Sequence, residues 1–183
     1  MKLIIYMLIV FSLSCDKVIG IDFGSSSTCA AVFTDGDVKI IKNEFGKYIT
    51  PSIVSYHNGK VYCGDSAWQI INNKNQNSTL FGIKSSIGKN NESFYFQITD
   101  NKKKYNVSIE EVISTLLKNI KNNAETFIGK EIQKAIITVP SYFNEYQCNV
   151  IKNAGKYAGF FATKLLNESI AAALTYNFYV NNK

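Results

Sequence analysis

Short apolar runs broken by turn residues fill the first third of the chain, and a period of three to four governs much of the rest. Residues 18–23 are apolar apart from Asp22, Gly24 and a string of hydroxyl residues interrupt them, and residues 29–33 resume the apolar run. That pattern predicts a strand, a tight turn and a returning strand. Asp35-Gly36 signals another turn, after which residues 38–41 return as a third strand. Thr50-Pro51 opens a further strand over residues 52–56, and Asn58-Gly59 turns it into Val61-Tyr-Cys63. Asp65 is placed to cap a short helix through residues 67–71, and residues 72–78 read as a polar connection. Residues 94–98 alternate as a strand before a charged turn over residues 100–104.

Ser108-Ile-Glu-Glu111 reads as a capping box. Behind it Ile109, Val112, Ile113, Leu116, Leu117, Ile120, Ala124 and Phe127 recur at three and four, which predicts a long amphipathic helix stopped by Gly129. The period then changes. Residues 132–139 hold the run Ala-Ile-Ile-Thr-Val before Pro140, the pattern of a strand buried on both faces. Asn144, with Gln147 three positions on, caps a helix to about residue 158, where Gly159 stops it. Residues 163–167 form a short strand that delivers Glu168, and Ser169 is placed to cap a helix over residues 170–178. Hairpins followed by strand–helix–strand–helix predict an α/β fold with a mixed sheet.

Three stretches carry chemistry on that scaffold. Around Asp22-Phe-Gly-Ser-Ser-Ser-Thr28, Gly24 lacks the Cβ that would keep a ligand from the backbone, and Ser25, Ser26 and Thr28 add hydroxyls. Asp22 suits Mg²⁺, directly or through its waters. An ordinary hairpin with a Ser-rich turn is the plain alternative, and no Gly-Lys-Ser/Thr closes a Walker loop. Lys84 is the one charge in Phe81-Gly-Ile-Lys-Ser-Ser-Ile-Gly88, either solvated or brought to phosphates. Asp22, Lys84 and Glu168 all fall near element ends, and ligand sites of open α/β sheets gather at strand carboxyl ends.

Composition narrows the class. With 46% hydrophobic, 13% aromatic and 19% charged residues, the 183-residue chain suits one globular domain or one lobe of a larger one. Its net charge of +6 is carried without a single arginine, and the lysines are scattered among asparagines. That favours a solvated surface over a nucleic-acid face. Lys2, an apolar stretch over residues 3–13 and Ser12-Leu-Ser14 have the layout of a signal peptide over residues 1–14. Cleavage there would lower the charge from +6 to +5 and leave Cys15 first, with lipid attachment as a minor alternative and no membrane association after cleavage. Cys15, Cys29, Cys63 and Cys148 are too widely spaced for a metal cluster, and Cys29 and Cys63 read as buried thiols. Sequons at Asn77, Asn91, Asn106 and Asn167 are compatible with secretion.

Four motifs together resemble the N-terminal part of the heat shock protein 70 family: Ile21-Asp-Phe-Gly-Ser-Ser, residues 81–88, Ala135-Ile-Ile-Thr-Val-Pro-Ser-Tyr-Phe-Asn144, and Leu166-Asn-Glu-Ser-Ile-Ala-Ala-Ala173. The resemblance runs from Val18 to about Tyr176, and with the signal peptide it points to the endoplasmic-reticulum branch. It implies a ribonuclease-H-like, actin-like ATPase lobe over residues 15–183, with ATP or ADP and Mg²⁺ as cofactors. Asp22 would organise the metal through water, and Gly24, Ser25, Ser26 and Ser27 would line the phosphates. Lys84 would neutralise the γ-phosphate, and Glu168 would place the attacking water. Pro140 and Glu145 would couple nucleotide state to the rest of a chaperone. Implied partners are unfolded polypeptides, J-domain co-chaperones and nucleotide-exchange factors.

The family's arginine after the lysine is Ser85 here, its Pro-Thr after the glutamate is Ser169-Ile170, and its arginine near the helix start is Cys148, which weakens the implied J-domain coupling. The second lobe and a substrate-binding domain are expected to be absent, impairing ATP turnover. A non-catalytic scaffold derived from such a chaperone is the alternative function. A sugar kinase of the same superfold is the third, and the Val139-Pro-Ser-Tyr-Phe-Asn144 segment argues against it.

Overall fold

A computed structural model describes residues 18–34, 37–71, 78–88 and 93–181, the last five by backbone alone. The signal peptide, Cys15, the Asp35-Gly36 turn, most of the polar connection, and the sequons at Asn77 and Asn91 lie outside the described residues.

The main sheet combines a meander with two parallel crossovers. Strands β1 (Val18–Phe23), β2 (Ser27–Thr34) and β3 (Asp37–Ile41) run antiparallel in sequence, and β4 (Thr50–Pro51) pairs with β2. On the other side of β1 lie β10 (Lys134–Val139) and β11 (Ala162–Asn167), both parallel, so the order is β11-β10-β1-β2-β3. The mixed sheet with flanking helices is the α/β fold that the pattern predicts.

Helix α2 (Ile109–Ile128) leads into β10, and α3 (Glu145–Tyr157) connects β10 to β11. The two pack on each other and share one apolar cluster with Ile19, Ile21, Ala135, Ile137 and Val139, so they cover the same face of the sheet. Ser108 Oγ accepts the Glu111 amide at 3.2 Å, and Gly129 stops α2 at a φ of 72° that disfavours a side chain. Seven residues of the predicted stripe are buried, from Ile109 to Ala124. Each contributes on the order of 1–3 kcal/mol by leaving water, so the face holds the helix rather than its propensity. Phe127 departs from expectation: it is exposed, and Ile128 turns to the core in its place.

Two further sheets precede and follow the lysine segment along the chain. Strands β5 (Val54–His57), β6 (Lys60–Cys63) and β7 (Thr79–Leu80) form a second sheet, and β8 (Tyr95–Asp100) pairs with β9 (Lys103–Ser108) as a third. The strand expected over residues 52–56 begins only at Val54, and Thr50-Pro51, expected to open it, is a separate strand in the main sheet. Ile53 donates to the Pro51 carbonyl at 2.9 Å and Ser52 to the Ser26 carbonyl at 3.0 Å, which bends the chain between them. Likewise the charged turn contracts to Asn101 and Lys102, whose φ values of 48° and 63° make a tight two-residue hairpin loop.

Asp65 lies inside α1 (Gly64–Ile71) rather than capping it. Its carboxylate accepts from Asn43 Nδ2 and Lys47 Nζ, each at 2.7 Å, and so ties the preceding loop to the helix. Ser169 is not the cap of α4 (Glu168–Asn181) either. Asn167 Oδ1 accepts from both the amide and the hydroxyl of Ser169, so Asn167 is the capping side chain and Glu168 opens the helix.

Candidate functional site

The parallel strands bring their carboxyl ends together. Ile21 lies opposite Ile137, and Thr138 opposite Leu166, so Asp22, Thr138 and Leu166 form one row across β1, β10 and β11. Thr138 is fully buried and donates its hydroxyl to Asp22 Oδ1 at 3.1 Å. A hydroxyl in an otherwise apolar run needs such a partner, because an unpaired buried one would cost about 1–3 kcal/mol. Asp22 itself is half-buried, its backbone fixed by β2 on the other side.

Lys84 reaches this row from a 3₁₀ turn, Ile83–Ser86. The turn is anchored by Ile83 and Ile87, both buried in the main cluster. Lys84 is 6% exposed, and its ammonium donates to the Phe23 carbonyl at 2.6 Å and to Glu168 Oε1. The Phe23 ring lies 5.9 Å from the ammonium. Burying an ammonium is costly unless it is paired and hydrogen-bonded, and the carbonyl and the carboxylate meet that need. Glu168 stands at the mouth, with 38% of its side chain exposed. Lys84 and Glu168 therefore meet at the Phe23 carbonyl, one residue from Asp22, whose own side-chain bond is to Thr138.

The Gly/Ser turn differs from expectation in two respects. Gly24 donates its amide to the Ser27 carbonyl at 3.1 Å, so the turn closes on itself instead of offering that N–H outward. A Cβ on Gly24 would lie 2.3 Å from the same oxygen, so the glycine is required by the turn before any ligand approaches. Thr28 is buried and shares a 2.9 Å hydrogen bond with Ser52, whose hydroxyl also reaches the Gly24 carbonyl at 2.8 Å. Thr28 therefore braces the turn from behind. Ser25, Ser26 and Ser27 are exposed and present the polar rim.

Ser85, where the family resemblance leads one to expect arginine, places its hydroxyl 3.3 Å from that of Ser25 and joins the lysine turn to the serine turn. Pro140 and Glu145 are not part of this convergence. Pro140 is buried after β10 and its carbonyl accepts from Phe143 at 3.2 Å, while Glu145 is exposed in the first turn of α3. Thr138, Ser52 and the Phe23 carbonyl are site members that the sequence reading did not single out. Thr138 carried a signal, as a lone hydroxyl in a buried run; Ser52 and the carbonyl carried none.

No group of three or more His, Cys, Asp or Glu side chains could cage a metal among the described residues. A lone carboxylate at a strand end, with serine hydroxyls beside it, fits a hydrated Mg²⁺ shared with substrate phosphates, since Mg²⁺ keeps several waters and uses one or two protein carboxylates. The residues present therefore fit a magnesium–phosphate ligand. Among the described residues no helix is long and apolar enough to cross a membrane.

A family model described as Hsp70 protein matches residues 18–183, from the first residue of β1 onward. Hsp70 proteins are chaperones with an ATP-binding domain, and the mixed sheet, its flanking helices and the gathered strand ends are those of an actin-like ATPase lobe. The match spans nearly the whole chain, and the protein belongs to the Hsp70 family.

Proposed function

We propose that this chain is the ATP-binding and ATP-hydrolysing lobe of a chaperone that handles unfolded polypeptides in the secretory pathway. The observation that carries this is the buried Lys84 ammonium, held between the Phe23 carbonyl and Glu168 one residue from Asp22. Phosphoryl transfer needs cation placement more than covalent chemistry from the protein. Asp22 and the serine hydroxyls beside it would hold a hydrated Mg²⁺, which would supply charge neutralisation at the phosphates. Asp22, oriented by Thr138, would hold the metal through water, and Ser25, Ser26 and Ser27 would donate to the phosphates. Lys84 exchanges part of its contact with Glu168 for the γ-phosphate, which frees that carboxylate to orient the attacking water. J-domain proteins and nucleotide-exchange factors are the partners this reading supplies, with Cys148 weakening the first coupling.

A scaffold without catalysis is favoured by one observation: Ser85 and Ile170 stand where the resemblance expects phosphate-side Arg and Thr. Titration of the full chain with Mg-ATP, and single-turnover hydrolysis, separate the two readings. Lys84→Ala is expected to slow hydrolysis by about 100-fold or more, the usual cost of one donor aimed at developing charge. Asp22→Asn is expected to weaken Mg-ATP binding. If both variants bind and turn over ATP as the parent does, the ATPase reading fails. The secretory assignment rests on residues 1–14, and N-terminal sequencing of the cellular protein is expected to begin at Cys15. A protein retaining Met1 would count against it.

A further inference from the structure

Gln147 occupies a position that the chemistry above does not use. It is the third residue of α3, 3% exposed, and both ends of its amide are engaged. Oε1 accepts from the Asn144 amide at 3.1 Å, the reciprocal half of a capping box in which Asn144 Oδ1 accepts from the Gln147 amide at 2.9 Å. Nε2 donates to the Ile87 carbonyl at 3.0 Å, across 60 positions of sequence. That second bond has nothing to do with capping, which needs only the acceptor and which a glutamate serves equally well.

Ile87 closes the turn that carries Lys84: its amide donates to the Lys84 carbonyl at 3.3 Å. The Ser86 amide and hydroxyl each reach the Gly82 carbonyl at 3.2 Å. These bonds are all long, and 3₁₀ geometry is weak by itself. Ile83 and Ile87 fix the depth of the turn in the core, but apolar burial is non-directional, and beside the Lys84 ammonium itself the turn has the exposed 3.3 Å contact of Ser85 with Ser25. The bond from Gln147 supplies a direction.

We propose that Gln147 is a positioning residue for Lys84: its Nε2–H bond to the Ile87 carbonyl orients the 3₁₀ turn against the amino end of α3. It thereby sets where the ammonium stands between the Phe23 carbonyl and Glu168. This rests on the phosphate-handling role assigned above to Lys84, and it makes the start of α3 part of the site's frame.

Gln147→Glu separates the two jobs of the side chain. At pH 8 the introduced carboxylate still accepts from Asn144 and has no proton for Ile87. At pH 5 the acid form, favoured by burial, can donate again. Amide exchange followed by NMR in the full chain, corrected for intrinsic rates, reads both ends. Ser86 and Ile87 are expected to lose roughly tenfold protection at pH 8, the scale of one net hydrogen bond, and to recover it at pH 5. The Cys148 amide, bonded to the Asn144 carbonyl at 3.0 Å, is expected to keep its protection throughout. Gln147→Met, which lacks both functions, is expected to expose Ser86 and Ile87 at both pH values and to fray the start of α3 as well. Unchanged protection of Ser86 and Ile87 in the glutamate variant at pH 8 overturns the proposal, as does an equal loss at Cys148.

A second measurement connects the frame to function. The ratio of Mg-ATP to Mg-ADP affinity is expected to fall in the glutamate variant at pH 8 toward that of Lys84→Ala. If the parent chain does not discriminate the two nucleotides, the phosphate-handling role falls, while the exchange data still decide whether Gln147 orients the turn.

Discussion

Gly24 and Thr138 show two different relations between a residue and its site. A Cβ on Gly24 would press into the Ser27 carbonyl at 2.3 Å, a backbone atom that cannot rotate away. Ser27 cannot retreat cheaply, because β2 pairs it with Pro51 and Ser52 holds both the Ser26 and the Gly24 carbonyls. Gly24→Ala is therefore expected to destabilise the fold by about 1–3 kcal/mol, within the range of strained backbone substitutions, and to lower the urea midpoint without changing the slope. An unchanged midpoint would show that the turn can open without cost. The need for glycine was legible in the sequence, but for an outward-facing reason, close approach of a ligand. The inward one depends on a loop 28 positions away, and no local pattern encodes it. Thr138 lies at the other extreme. A single hydroxyl inside Ala-Ile-Ile-Thr-Val must find a partner, so its bond to Asp22 follows once β1 and β10 are known to be neighbours.

Elements with their own period were the readable ones. Helix α2, strand β10 and helix α3 declare themselves through stripe, run and caps, and all three lie where those signals put them. Thr50-Pro51 misled because it pairs in the main sheet while Val54–His57 pairs in the second, and the bend between them is held by the tertiary Ser52–Ser26 bond and the local Ile53–Pro51 one. Short β7 and the second arm of the β8–β9 hairpin carry too little pattern to declare themselves. The two hairpin tips also depend on one carboxylate. Asp100 accepts from the Gly59 amide at 2.7 Å and the Asn58 amide at 2.9 Å, so it joins the β5–β6 turn to the β8–β9 turn. The Gly59 bond, opposed by partial burial and reinforced by the Asn58 amide, holds its carboxyl below the ordinary 3.8. A lowered acid stabilises the fold above that ordinary value and loses its contribution as pH falls through the folded one. Stability is thus expected to drop below about pH 4, and Asp100→Asn, which cannot titrate, should flatten that part of the curve in thermal melts. Parallel acid curves for the two proteins would remove Asp100 from the linkage.

Among the described residues one large apolar cluster joins all three sheets, and this decides how they come apart. Ile19 and Ile21 of the main sheet, Val54 and Tyr56 of the second, Ile98 and Val107 of the third, and the stripe of α2 are parts of the same core. Ile83 and Ile87, which carry the lysine turn, belong to it too, so the candidate site hangs on contacts from all three sheets. A chain built this way should open as a unit, since the three sheets, α2 and α3 cannot part without uncovering shared apolar surface. Two thiols report on the separate regions. Cys29 sits on the face of β2 away from α2 and α3, and Cys63 ends β6 against the main cluster. Burial, with the Asp22 carboxylate adding to it, pushes the Cys29 thiol up to about 11, and burial with Glu44 pushes Cys63 up to about 12. Both raised values mean a contribution fully present below the ordinary 9.0 and lost as pH climbs toward 11 and 12, so native thiolate is scarce at pH 8. Pulsed alkylation at pH 8 across a urea series, with each site read by mass spectrometry, is expected to label Cys29 and Cys63 at one shared midpoint. Two separated midpoints would mean that the second sheet opens before the first, and that the lysine turn can leave the strand ends while the main sheet stands.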